Sequence, residues 1–239
     1  LQLNIVGGVW REVTLTNDLE DLSKIVIKGG DGLGTFVLDG GEDDDPEELE
    51  SLTTIDASQA GTLNVVITDF ETQNNLRITT AEGNDFVEGS DEEDYIRTNG
   101  GTDRIEGEAG DDKLEAGSGN DCLAGGYGKD VVNGGTGADC MYGGNFGDDY
   151  GDEEQDTFIV DVDAVKHADT IDVIKDFEEK DDAEDYDFDL LDFVGNNHAG
   201  SAHNFLAIDW DDATVETYEL GVALANSLFL ANGDLDYAS

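Results

Sequence analysis

Basic residues are scarce in this chain: 11 Lys and Arg stand against 59 Asp and Glu in 239 residues, a net charge of −48. Nucleic acid and anionic membrane carry the same sign and are therefore poor partners. A compact body with this charge repels itself unless counter-ions are bound. Proline is nearly absent. Pro46 is the only one, which leaves strands free to pair without interruption. No stretch approaches the ~18 consecutive apolar residues of a membrane-spanning helix. No charged-then-apolar leader of the secretory type opens the chain. Leu1 stands where a Met would begin a gene product, which reads as a fragment or a processed product with domains expected upstream. There is no Gly-x-Ser-x-Gly elbow and no phosphate loop. The three histidines, His167, His198 and His203, have no zinc-site spacing around them. No catalytic constellation is present, and the segment is read as non-enzymatic. Apolar residues still make up 38%, enough to fill a core.

What the chain has is a period. Asp85, Asp94, Asp103, Asp112, Asp121, Asp130, Asp139 and Asp148 recur every nine residues. Two positions after each comes an apolar or aromatic residue: Val87, Ile96, Ile105, Leu114, Leu123, Val132, Met141 and Tyr150. Two positions before most of them stands a glycine: Gly83, Gly101, Gly110, Gly119, Gly128 and Gly137. That position calls for positive φ, which glycine tolerates best. Glu92 and Phe146 replace it in two units, and those loops are expected to be distorted or weaker. A solvated acidic surface, as in salt-adapted proteins, accounts for scattered Asp and Glu elsewhere but not for this spacing. The pattern is Gly-Gly-x-Gly-x-Asp-x-apolar-x, the sequence form of a parallel β-roll.

The fold class expected is all-β: a parallel β-roll with β-rich flanks at both ends. Three segments follow. Residues 1–79 alternate in strand fashion at Leu1, Leu3 and Ile5, Val13 and Leu15, Ile25 and Ile27, Phe36 and Leu38, Leu63, Val65 and Ile67, and Leu76 and Ile78. The acidic run 42–50 reads as a solvated loop. Residues 80–151 are the repeat block. Residues 152–239 read as a capping segment. Its strands are expected at 156–160, around 168–171 and 175–177, at 185–189 (where Asp185, Asp187 and Asp189 alternate with apolar residues), and at 205–210, 215–220 and 222–230. The last of these also suits a short helix.

On these residues the block resembles the RTX (repeats-in-toxin) family of exported bacterial proteins. Asp169-Thr170-Ile171 and Asp176-Phe177 resemble the segment that often follows such repeats. Leu52-Thr53-Thr54-Ile55-Asp56-Ala57-Ser58 and the strands after it resemble the repeats of surface-layer proteins and large RTX adhesins. The resemblance implies one loop and one short strand per unit and two units per turn, so that loops 18 residues apart stack. One side then carries Asp85, Asp103, Asp121 and Asp139, and the other Asp94, Asp112, Asp130 and Asp148. It also implies Ca²⁺ between stacked loops, held by these carboxylates and by carbonyls around Gly101, Gly110, Gly119, Gly128 and Gly137, with Asp156 and Asp176 as further ligands. Calcium takes six to eight oxygens in tolerant geometry, so about three gaps per side could hold about six ions.

One buried apolar side chain contributes ~1.5–3 kcal/mol, while ordering nine residues costs ~1–2 kcal/mol each. Burial alone cannot fold such a unit, so folding and calcium binding are expected to be one event. The function expected is that of a calcium-binding module of a secreted or cell-surface bacterial protein. It would leave a low-calcium cytoplasm unfolded, by type I secretion, and fold outside. Its work would lie in structure, self-assembly or adhesion to cell-surface polysaccharide or protein. The alternative is the C-terminal export and folding tail of a secreted exoenzyme or toxin whose catalytic domain lies upstream.

Other groups stay open. Cys122 and Cys140 fall 18 residues apart at the same outward strand position, either as two stacked thiols or as a disulfide. The other outward residues are Phe86, Tyr95, Arg104, Lys113, Val131 and Asp149. Asp185, Asp187 and Asp189, with Asp176 or Asp181, and the pair Asp209 and Asp211 are either further calcium ligands or solvated strand faces. Trp10, Trp210, Phe86 and Tyr95 are either packing residues or a contact surface.

Overall fold

The computed structural model describes residues 2–6, 13–14, 21–29, 34–39, 51–68, 70, 72–147, 154–161, 172–176, 190–194 and 207–208. These residues contain 18 strands and no helix, so no helix among them is long and apolar enough to cross a membrane. The strands form two parallel sheets of nine strands each. Sheet A runs β1 (Gln2–Val6), β3 (Lys24–Lys28), β5 (Thr54–Gln59), β7 (Arg77–Thr79), β9 (Tyr95–Gly100), β11 (Lys113–Ser118), β13 (Val131–Thr136), β15 (Thr157–Asp161) and β17 (Leu190–Val194). Sheet B runs β2 (Val13–Thr14), β4 (Thr35–Asp39), β6 (Asn64–Thr68), β8 (Phe86–Glu88), β10 (Arg104–Glu106), β12 (Cys122–Ala124), β14 (Cys140–Tyr142), β16 (Val173–Ile174) and β18 (Ala207–Ile208).

Every odd strand lies in one sheet and every even strand in the other, so the chain crosses between sheets at each loop. This is a parallel β-roll with two strands per turn. Both sheets continue through the repeat block into its flanks: β5 pairs β7, β7 pairs β9, β13 pairs β15, and β14 pairs β16. In the repeat block the registers are 18 residues apart, as in Tyr95↔Lys113↔Val131 and Phe86↔Arg104↔Cys122↔Cys140.

The core lies between the sheets and follows from the strand alternation. Val87, Ile96, Ile105, Leu114, Leu123, Val132 and Met141 are fully buried, one per unit. Upstream strands β3, β4 and β6 bury two large residues apiece: Ile25 and Ile27, Phe36 and Leu38, Val65 and Ile67. At ~1.5–3 kcal/mol per side chain, each of these three gains about twice the burial energy of a strand in the acidic block. The upstream turns are the better-filled part of one continuous cluster that runs from Leu22 to Ile174.

The expected outward residues Phe86, Tyr95, Arg104, Lys113, Cys122, Val131 and Cys140 are half-buried or exposed, as alternation requires. Asp149 and Tyr150 lie outside the described residues. So do the acidic run 42–50, the segment 168–171, Asp185, Asp187 and Asp189, the pair Asp209 and Asp211, residues 215–230, Trp10, Trp210 and the three histidines. Of the expected C-terminal strands, 156–160 appears as β15 and 205–210 contains β18; Lys175 and Asp176 form a bend after β16 (Val173–Ile174) instead of a strand, and Phe177 lies outside the described residues.

Candidate metal centre

Each repeat aspartate sits on the last loop residue before a strand. Asp94, Asp112 and Asp130 precede strands of sheet A, and Asp85, Asp103, Asp121 and Asp139 precede strands of sheet B. The two sets stack on opposite edges of the roll. All seven are buried.

Their hydrogen bonds explain how carboxylates survive there. Oδ1 of each aspartate accepts the backbone N–H of the residue one turn earlier. On one edge Leu76 donates to Asp94 (2.6 Å), Asp94 to Asp112 (2.6 Å), Asp112 to Asp130 (2.7 Å) and Asp130 to Asp156 (2.8 Å). On the other Val65 donates to Asp85 (2.7 Å), Asp85 to Asp103 (2.8 Å), Asp103 to Asp121 (2.8 Å), Asp121 to Asp139 (2.9 Å) and Asp139 to Asp172 (3.1 Å). The carbonyl of each aspartate is also used, accepting from the first strand residue of the next turn, as in Cys122 N–H to Asp103 and Cys140 N–H to Asp121. The backbone is thus fully paired.

The second carboxylate oxygen is not. Oδ2 of Asp85, Asp103, Asp112, Asp121 and Asp139 is buried and accepts no hydrogen bond. Burial of an unpaired carboxylate oxygen is costly, and a row of four on one edge, with Asp112 on the other, is the signature of a positive partner. Burial raises every one of these acids above its usual 3.8. Asp85 and Asp94 rise to about 6, and Asp121 and Asp139 to about 7. Asp103 rises for the same cause. Asp112 is pushed up to about 9, with Asp130 and Asp94 adding to the effect of burial.

The glycines place carbonyl oxygens beside these atoms. A Cβ added at Gly107 would meet Oδ2 of Asp112 and the carbonyl oxygen of Gly125, and one added at Gly125 would meet Oδ2 of Asp130 and the carbonyl oxygen of Gly143. Side-chain-free backbone here leaves a cradle between a carboxylate and the carbonyl of the next turn. Gly101, Gly110, Gly119, Gly128 and Gly137 all have positive φ, between +114° and +151°. At Gly119 and Gly137 an added Cβ would strike the carbonyl oxygen one turn earlier, of Gly101 and Gly119 respectively. Oxygen-only donors, mixed carboxylate and carbonyl, are the set that hard cations such as Ca²⁺ take. The residues present fit calcium.

The two irregular loops resolve differently. In the unit with Glu92, the buried Ser90 turns back on Asp94: its N–H donates to Oδ2 at 2.6 Å and its hydroxyl to the same oxygen at 3.0 Å. The protein itself therefore satisfies the atom that is bare in the neighbouring units. Phe146 leaves the loop altogether. Its ring packs edge-on against Tyr142 (5.3 Å) and under the guanidinium of Arg104 (3.9 Å). Those residues lie on β14 and β10, so the ring spans β12 between them, where outward-facing Ala124 is only 2% exposed.

Asp148 lies outside the described residues. The rung above Asp130 is held by Asp156, 26 residues on, and the rung above Asp139 by Asp172, 33 residues on. Asp172 escapes a search by period because an insertion precedes it. The signal that remains is local: Asp172-Val173-Ile174 and Asp156-Thr157-Phe158 keep the Asp-x-apolar unit. Asp176 uses both oxygens on amides, accepting from Gly143 and Gly144 at 2.9 Å each. A separate acidic group that could hold an ion brings carboxylate oxygens of Glu88, Glu106 and Glu108 within 4.8 Å of one another. Sequence reasoning passed over it, although Glu88 and Glu106 share the 18-residue register.

The family described as RTX calcium-binding nonapeptide repeat (4 copies) matches residues 79–114 and again residues 115–150. No curated protein and no solved structure matches the chain.

Proposed function

We propose, since residues 79–150 are RTX calcium-binding nonapeptide repeats, that this stretch is a calcium-driven folding module of a secreted or cell-surface bacterial protein. The single observation that carries the proposal is the row of buried, unpaired Oδ2 atoms of Asp85, Asp103, Asp121 and Asp139 on one edge of the roll, with that of Asp112 on the other. Asp85, Asp103, Asp121 and Asp139 on one edge, and Asp112 and Asp130 on the other, would hold the ions with carbonyls of the glycine turns. Gly101, Gly110, Gly119, Gly128 and Gly137 would keep those turns open. Asp94, already bonded to Ser90, would hold the weakest site. Asp148, Asp156 and Asp176 would close the C-terminal end. Bound calcium supplies the positive charge that lets neighbouring carboxylates lie one turn apart.

The physical consequence is a switch. Without divalent cation the chain must leave bare oxygens in its interior or protonate them, and the unit of nine residues buries too little to compensate. Extracellular calcium modules bind at about 10⁻⁴ to 10⁻³ M. A chain tuned to that range stays open in a low-calcium cytoplasm and winds outside. Residues 1–79 and 152–239 then act as the better-packed seat and the cap of residues 80–151. The work of the wound roll is rigid display, assembly or adhesion, not catalysis. Calorimetric calcium titration of the chain, followed in parallel by circular dichroism, tests this. Several ions should bind as the β signal of the block appears. A chain equally folded in chelator and in calcium would defeat it.

A further inference from the structure

Calcium leaves one pair of side chains unused. Cys122 and Cys140 are the only cysteines in the sequence. They are in-register neighbours on β12 and β14. Both are free and half-buried on the outer face of sheet B.

We propose that this pair is a two-thiolate site for one soft, thiophilic cation of the Cu(I) class, on the outside of the roll and chemically separate from the oxygen sites in its loops. In-register strands hold their side chains parallel at about 4.8 Å. Two thiolates on one ion, each with a metal–sulfur distance of about 2.3 Å, span about 4.6 Å. The spacing of the two in-register strands is close to that span. A disulfide needs Cβ atoms about 3.8 Å apart, so the strands would have to converge against the sheet that holds them. Thiolates select Cu(I), whereas calcium takes oxygen. The two metal classes therefore do not compete.

The surroundings fit the charge. Two thiolates and one monovalent cation leave one negative charge. Arg104 is the register neighbour of Cys122 on β10, and the positive charge of Lys175 acts on Cys140. Two of the 11 basic residues in a chain of net charge −48 thus flank this one pair. Tyr142 stands two residues after Cys140 on the same strand, β14. The Phe146 ring lies across β12 between Arg104 and Tyr142. Binding releases two thiol protons to solvent and changes no oxidation state. The site rests on the roll being wound at these turns, whatever ion fills the loops.

The test uses the reduced full-length chain in saturating calcium, titrated anaerobically with Cu(I) supplied as its acetonitrile complex. The expected result is an ultraviolet thiolate-to-copper absorption that saturates at one ion per chain, with both thiols protected from iodoacetamide. Cys122→Ser and Cys140→Ser should each weaken binding at least tenfold while the calcium-dependent circular dichroism stays that of the wild type. Should either variant fail to wind, wild-type chain alkylated at both thiols replaces it and should bind no copper. Titration without saturation, or affinity unchanged in a folded serine variant, would overturn the proposal. So would complete disulfide formation in air before copper is added. None of these outcomes bears on the calcium titration, which reads the loops.

Discussion

Replacing Gly119 by Ala separates the cradle from ordinary backbone preference, and Gly61 provides the internal comparison. Gly61 has φ +70° and nothing within 4 Å of an added Cβ. Ala there adopts a left-handed conformation that costs ~1–2 kcal/mol and meets no neighbour. Gly119 has φ +146°, and its Cβ would strike the carbonyl oxygen of Gly101. Strain in that backbone region costs ~1–3 kcal/mol, and forcing the two turns apart costs a further ~1–3 kcal/mol, so ~4 kcal/mol is the central expectation. Shared by about three ions on that edge, this is ~1.3 kcal/mol per ion, or about a tenfold rise in the calcium midpoint. The assay is a calcium titration by circular dichroism on the full chain. Gly119→Ala should shift the midpoint about tenfold and Gly61→Ala by less than about threefold. Equal midpoints for the two variants would refute the claim that stacked carbonyls at the glycine turns form the ion sites.

Three further outcomes follow from the same geometry. The buried acids have folded-state values raised above 3.8, to between about 6 and about 9 for Asp85, Asp94, Asp112, Asp121 and Asp139. The calcium-free roll therefore binds more protons than the open chain. It is least penalised below about pH 4 and loses stability as pH rises to about 9. In chelator the β signal should grow on acidification from about pH 9 to 5, while the calcium midpoint rises because protons compete for the same oxygens; a pH series of titrations checks both signs. Asp121→Ala removes the acceptor of the Asp103 N–H and strands a buried donor, whereas Asp121→Asn keeps it. In saturating calcium, urea melts should show Ala ~1–3 kcal/mol less stable than Asn. Phe146→Ala uncovers Ala124 and loses the contact with Arg104. It should cost ~1–3 kcal/mol in the same melts with no change in the number of ions bound.

Much of the roll is written in the sequence because its repeat block is strictly periodic. Asp85 to Asp139 and the apolar residues two positions on land where an 18-residue turn puts them: carboxylates stacked on two edges, side chains from Val87 to Met141 buried. The glycine position was legible because five of its occupants adopt positive φ. A second such position was not. It is occupied by Asn99 (φ 72°), Glu108 (φ 79°), Gly117, Gly126 and Gly135, and the two non-glycine residues hide it. Pairings across unequal gaps were illegible for another reason. Strand alternation marks a strand but not its partner, so nothing local says that Thr35 meets Asn64 or that Val131 meets Thr157. Asp172 was hidden by the same irregularity. Phe146 was visible as a misfit in its loop, but its destination over β12 depends on residues 22 and 42 positions earlier in the chain.

The amide-to-carboxylate ladder has a direction. Every rung is completed by the turn that comes after it and by no turn before, as in Asp85 to Asp103 to Asp121 to Asp139. Its first donors are Val65 and Leu76, amides on the apolar upstream turns, which stand ready before any acidic turn is laid down. Winding is therefore polar, like a zipper with its stop at one end. A coil interrupted midway presents open amides only at its advancing tip. Cutting away the upstream turns would instead take from Asp85 and Asp94 the amides of Val65 and Leu76 on which they close.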